Sequence, residues 1–207
     1  MLKVKVQPYS SVWVSADSQE ELGLTFMRFQ EHYESANPKF RNNIFTVGQL
    51  RHWYSETYGA NDYHLTWIGF NFPSKVLIPF KEGLFDPLTP EENKLLELFR
   101  YRKDNFYIIG AQNNTTLRHE LAHALYSSND SYRKDIDNFI KKHSSKLKKL
   151  RNILLKKGYC KEVLNDEIQA YITDNDDPEI INSTCQSVIT GINAIYNSFN
   201  NKIKVKK

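Results

Sequence analysis

Apolar and polar positions change period along the chain, and the change divides it into two halves. In the first half, "KVKVQ" and "SSVWVSA" alternate in the period of two that predicts a strand or a short hairpin. "SQEELGLTFMRFQEHYES" then places Leu22, Phe26 and Phe29 at helical spacing behind a capping Ser18. "TVGQLRHWYSETYG" opens with a second cap, Thr46, and stops at Gly59. "TPEENKLLELFR" starts a helix with Thr89 as cap, Pro90 at the first position and Glu92 completing a capping box. "YHLTWIGFNF" and "KVLIPF" look like strands paired around Pro73-Ser74, and "NFYIIGAQ" like one more strand.

From Thr115 onward the pattern is helical throughout. A first helix carries "TTLRHELAHALYSS", and a long one is predicted across about Asp130 to Lys157, stopped by Gly158. A third covers about Lys161 to Thr173, and "DPEIINSTCQSVITGINAIYNSFNN" reads as a fourth. A small mixed sheet with helices over 1–112, followed by a mostly helical 113–207, makes this an α+β chain, expected to form one domain.

Composition changes this picture little. At 207 residues and 40% hydrophobic content the chain can build a real core. No apolar run reaches the length of a membrane span, and the N-terminus lacks the continuous apolar stretch of a signal peptide. The expected location is therefore cytoplasmic, or outside the cell by a route without a cleaved signal. Cys160 and Cys185 match no CxxC pattern and are expected to be buried, reduced thiols. The net charge of +4 is concentrated between Arg133 and Lys157 and in the terminal "NKIKVKK". A basic helix can attract an anionic partner. Because no aromatic residue interleaves within "KKHSSKLKKLRNILLKK", a solvated helix face is expected, with no nucleic-acid partner.

The chemistry lies in "HELAH". His119 and His123 are four apart, so a helix puts both on one face, where two imidazole nitrogens can meet one metal. Glu120 is rotated about 100° from His119, which suits it to a water held by the metal better than to the metal itself. Zinc lowers the pKa of its water towards ~7, and a nearby carboxylate takes the proton. That division of labour is why two histidines alone are not enough. A catalytic zinc also needs a third protein ligand and an open fourth position. Glu167 in "LNDEIQAYITD" is the candidate, on a helix with Leu164, Ile168 and Tyr171 along one side; its neighbour Asp166 competes, and Asp130 is a more distant option.

At "HELAH" and "NDEIQAY" the chain resembles the thermolysin-like zincin metallopeptidases, the gluzincins. The resemblance covers about twenty residues and says little about the first hundred. The uncharged flanks Thr116, Leu117, Leu121, Ala122, Ala124 and Leu125 also suit a catalytic zinc helix. The resemblance implies a zincin-like fold, one zinc ion per chain on His119, His123 and Glu167, Glu120 as general base, and a protein or peptide substrate. It also implies an exposed strand that pairs with the substrate backbone, for which "NFYIIG" and "KVLIPF" are the candidates. The chain departs from the family in two respects. The connection between the two motifs is filled by the long basic helix, longer than in the compact members. Four residues after the glutamate ligand, where those enzymes carry an aspartate bonded to the first histidine, stands Tyr171. Its hydroxyl can bond a ligand or stabilise an oxyanion, or it can be a core tyrosine. The alternative to an enzyme is a non-catalytic zinc-binding or interaction protein on such a scaffold, with the basic helix 133–157 meeting an anionic partner. Cys160 would then be available as a fourth, structural ligand.

Overall fold

A computed structural model describes the backbone of residues 1–204; the last three residues of the basic C-terminal end lie outside it. The chain is α+β and divides into two compact units, Met1–Leu117 and Arg118–Lys207.

The first unit holds a four-stranded mixed sheet in the order β1-β2-β4-β3. β1 (Lys3–Gln7) and β2 (Ser11–Ser15) form the expected antiparallel hairpin. β2 runs parallel to β4 (Tyr107–Ala111), which pairs antiparallel with β3 (Gly69–Pro73) on its other side. α1 (Gln19–Glu34) covers one face of the sheet. Phe26 and Phe29 of α1 lie against Phe70 and Phe72 of β3, at ring distances of 5.3 Å for Phe26–Phe70 and 5.5 Å for Phe29–Phe72. Such aromatic packing adds to the area term of burial. Gly110 of β4 permits this approach, because a Cβ there would stand 2.8 Å from the Phe26 ring. α2 (Val47–Tyr58), α3 (Tyr63–Thr66), α4 (Leu77–Lys81) and α5 (Pro90–Leu98) complete the unit.

Ser18, Thr46 and Thr89 all cap as expected, the last two in full capping boxes with Gln49 and Glu92. Glu92 also forms a buried ion pair with Arg28, whose remaining donors reach the Phe45, Phe85 and Pro87 carbonyls. A buried guanidinium needs all of these partners to offset its desolvation.

Both candidate edge strands need correction. "NFYIIG" supplies β4, which is paired on both sides and buried along its whole length. "KVLIPF" is not a strand: Ser74–Val76 form a 3₁₀ turn that leads into α4. Its buried residues Val76, Leu77 and Phe80 follow a helical spacing, Ile78 is exposed, and Pro79 lacks the N–H that a sheet ladder needs. The sheet edges are β1 and β3. On β3 the outward Asn71 N–H is taken by the Gln30 side chain, and Pro73 has none to offer.

The second unit is helical. It contains the motif-bearing part of α6 (Asn114–Ser128), then α7 (Asp130–Lys142), α8 (Lys148–Lys156), α9 (Leu164–Asp174), α10 (Pro178–Ser183) and α11 (Gln186–Lys204). The long helix expected over 130–157 is two helices separated by a 3₁₀ turn at Ser144–Leu147. His143 bonds back to the Phe139 carbonyl through both its backbone N–H and Nδ1, and the serines that follow are weak in helix interiors. α7, the 3₁₀ turn and α8 together bury Ile136, Ile140, Leu147, Leu150 and Leu154 and turn most of their lysines to solvent. Gly158, at φ +99°, ends α8 as expected. The last predicted helix is likewise split, at Thr184, where the Ser183 and Thr184 hydroxyls bond back to the Ile180 carbonyl. Cys160 and Cys185 are not joined in a disulfide; Cys185 is exposed rather than buried, and Cys160 is half-buried. Among the described residues, no helix is long and apolar enough to cross a membrane.

Candidate metal centre

The motif lies on α6, whose start is capped by Asn113: its side chain accepts from the Thr116 N–H and its carbonyl from the Leu117 N–H. The helix buries Ala122, Ala124 and Leu125 and exposes Arg118. That packing carries His123 (2% exposed) and Glu120 (4% exposed) inward with it. α9 brings the third group. Leu164, Ile168 and Ile172 are buried on it, and so is Glu167, at 2% exposure.

One ligand atom each of His119, His123 and Glu167 lies within 4.8 Å of the other two. The two Nε2 atoms face each other at 3.1 Å. Glu167 Oε1 is 3.7 Å from His123 Nε2, and Oε2 is 3.8 Å from His119 Nε2. Two ligands held at zinc's bond lengths and a tetrahedral angle stand about 3.3 Å apart, so these separations bracket the requirement. Glu167 Oε2 is buried without a hydrogen-bond partner. A buried carboxylate oxygen in that state is costly unless a cation meets it.

The other ring nitrogens show how the histidines are held. His119 Nδ1 is 2.5 Å from Asp174 Oδ2, and His123 Nδ1 is 2.8 Å from Asp166 Oδ1. Each carboxylate fixes its ring with the proton on Nδ1 and turns the Nε2 lone pair towards the shared point. Two lone pairs facing each other at 3.1 Å repel, and only a proton or a metal ion between them and the carboxylate relieves this. Without metal, protons take that place. Burial disfavours the His119 cation, but the Asp174 bond and the neighbouring carboxylates raise its pKa overall. Burial also disfavours the His123 cation, and Asp166 and Glu167 push its pKa up well beyond the ordinary value. Burial pushes the Glu167 carboxyl up to about 7, with the histidines opposing. These donors, two imidazoles and a carboxylate in a buried site, are those zinc prefers.

The remaining sequence candidates are distributed around this point. Glu120 lies outside the three-ligand group, but close enough for its charge to act on both histidines. The Tyr171 ring packs edge-on against His119 at 4.7 Å, and its hydroxyl shares a 2.9 Å hydrogen bond with Tyr159. Asp166 lies outside the three-residue group, with its Oδ1 on the other ring nitrogen of His123. Asp130 is exposed and paired with Arg133. Cys160 is not in the cluster found among the described residues. Asp174 is not among the sequence candidates, because the family pattern places the partner of the first histidine four residues after the glutamate, where Tyr171 stands. Asp174 stands seven after, which is two helical turns and so the same face of α9. That spacing was the available signal.

No family model, curated protein or solved structure matches the chain.

Proposed function

We propose that the protein is a zinc-dependent metallopeptidase of zincin type, with one zinc ion per chain on His119, His123 and Glu167. The observation that supports this most is the pair of Nε2 atoms 3.1 Å apart, each ring tied at Nδ1 to its own carboxylate, opposite an unpartnered Glu167 oxygen. When bound, zinc supplies Lewis acidity: it polarises a peptide carbonyl and lowers the pKa of a water. The chain's own residues do the rest. His119, His123 and Glu167 hold the ion, while Asp174 and Asp166 keep the rings aimed. Glu120, buried beside the ligands but not one of them, takes the proton from the attacking water and passes it to the leaving amine. Tyr171, packed on His119, is the hydroxyl donor for the developing oxyanion. A carboxylate in Glu120's position has no role in a purely structural zinc site, which favours the enzyme over a binding module.

Glu120→Gln tests this. The variant should keep its zinc and its fold, while peptide-bond hydrolysis should fall by ~100- to 10,000-fold. Zinc content is measured by elemental analysis and cleavage by mass spectrometry on a broad peptide library. Hydrolysis at the wild-type rate would remove Glu120 from the mechanism, and loss of zinc would make it a structural residue.

A further inference from the structure

His123 is held from further away than its first partner. Asp166 Oδ1 accepts from His123 Nδ1 at 2.8 Å and also from Gln169 Nε2 at 2.9 Å. Gln169 Oε1 in turn accepts from the Tyr132 hydroxyl at 2.7 Å. Gln169 and Tyr132 are both fully buried. The Tyr132 ring is packed against Tyr196 and Phe199 of α11, at 6.3 Å and 5.4 Å. The chain of bonds therefore starts in the α7–α11 core, crosses α9 and ends on the α6 histidine, all inside the second unit.

The direction of this chain follows from chemistry. An ionised aspartate can only accept, so the end of the Gln169 amide facing it must be the NH₂. The amide oxygen then faces Tyr132, which must donate. With both of these set, the proton between His123 and Asp166 belongs to Nδ1, and Nε2 is left as a lone pair. If the Tyr132 hydroxyl is removed, the buried Gln169 oxygen loses this donor, and of these two bonds only the one to Asp166 still holds the amide. A neighbouring network ties the same helices together: Asp137 accepts from Tyr126 and Asn165, and Asn165 accepts from Arg151. It does not reach a histidine. At His119 the arrangement is shorter, since Asp174 sits at the end of α9 and its other oxygen accepts from the Asp176 backbone N–H.

We infer that Tyr132 and Gln169 are positioning residues for the metal centre, which through Asp166 fix His123 with its proton on Nδ1 and its Nε2 towards the ion. This rests on the zinc site proposed above. It gives α7 a role beyond its solvated basic face: its buried side supplies the outer end of the relay.

Tyr132→Phe, Gln169→Met and the double variant test it, with two measurements. The first is zinc affinity by chelator competition. Outer partners of this kind typically change metal affinity 10- to 100-fold, so Gln169→Met should weaken binding by about 10-fold or more. Tyr132→Phe, which removes one neutral hydrogen bond, should weaken it about 3- to 10-fold. The double variant should be no weaker than Gln169→Met alone, because a relay already cut at Gln169 has nothing more to lose at Tyr132. The second measurement is the downfield Nδ1–H proton resonance of His123 and its exchange with solvent, observable with or without zinc. Both single variants should shift it upfield and speed its exchange. Additive losses of affinity, or an unchanged resonance, would reduce both residues to packing and overturn the inference. A wild-type protein that binds no zinc would refute the zinc site, yet the metal-free resonance would still decide the relay.

Discussion

Removing the Asp174 carboxylate isolates one orienting bond. Asp174 Oδ2 lies 2.5 Å from His119 Nδ1, and its side chain is only 7% exposed, so little water can replace it. A hydrogen bond to a charged group contributes about 1.5–3 kcal/mol. At 1.4 kcal/mol per factor of ten, Asp174→Ala should weaken zinc binding by ~10- to 150-fold. Asp174→Asn should fall in between. It retains a single acceptor oxygen, which must choose between His119 and the Asp176 N–H that Asp174 now serves with its second oxygen. The assay is competition with a chromophoric chelator of known zinc affinity at pH 7.5. Melting of the zinc-free variants, followed in parallel, separates weaker binding from loss of fold. An alanine variant that stays folded and binds within twofold of wild type would falsify the orienting role of Asp174.

Stability should respond to pH and zinc together. In the zinc-free chain Glu167 titrates at about 7 rather than at its ordinary 4.5, and both histidines are raised, so all three hold protons more tightly folded than unfolded. Their contribution to stability is present at low pH and is lost as pH rises through the folded values. Zinc displaces those protons, so the rise in melting temperature on adding zinc should be larger at pH 8 than at pH 5.5; an equal or smaller rise at pH 8 would contradict this. In the first unit, Gly23→Ala should cost about 3 kcal/mol in urea denaturation, because its Cβ would lie 2.3 Å from the His64 carbonyl oxygen, and backbone cannot swing aside as a side chain can. A loss below about 0.5 kcal/mol would mean that α1 and α3 can separate freely.

Local rules sufficed wherever the controlling interaction lies within a few residues. Ser18, Thr46 and Thr89 cap because each bonds an N–H three positions on, and Gly158 ends its helix through its own φ. The facing of His119 and His123 follows from helical periodicity alone. The identity of Glu167 as their partner was legible from its helix and its resemblance to a known motif, and α9 does bring it to them. Short apolar runs were another matter. "NFYIIG" and "KVLIPF" are both six residues long with four apolar side chains, yet one enters an interior strand and the other runs from a 3₁₀ turn into a helix, since only sheet pairing and the position of Pro79 distinguish them. The two carboxylates that aim the histidines, and the Tyr132–Gln169 chain behind one of them, join residues 37 to 55 positions apart. Sequence periodicity carries no term for such distances. They were decided by the packing of α6, α7 and α9, which desolvates these polar groups and leaves each the partners now beside it.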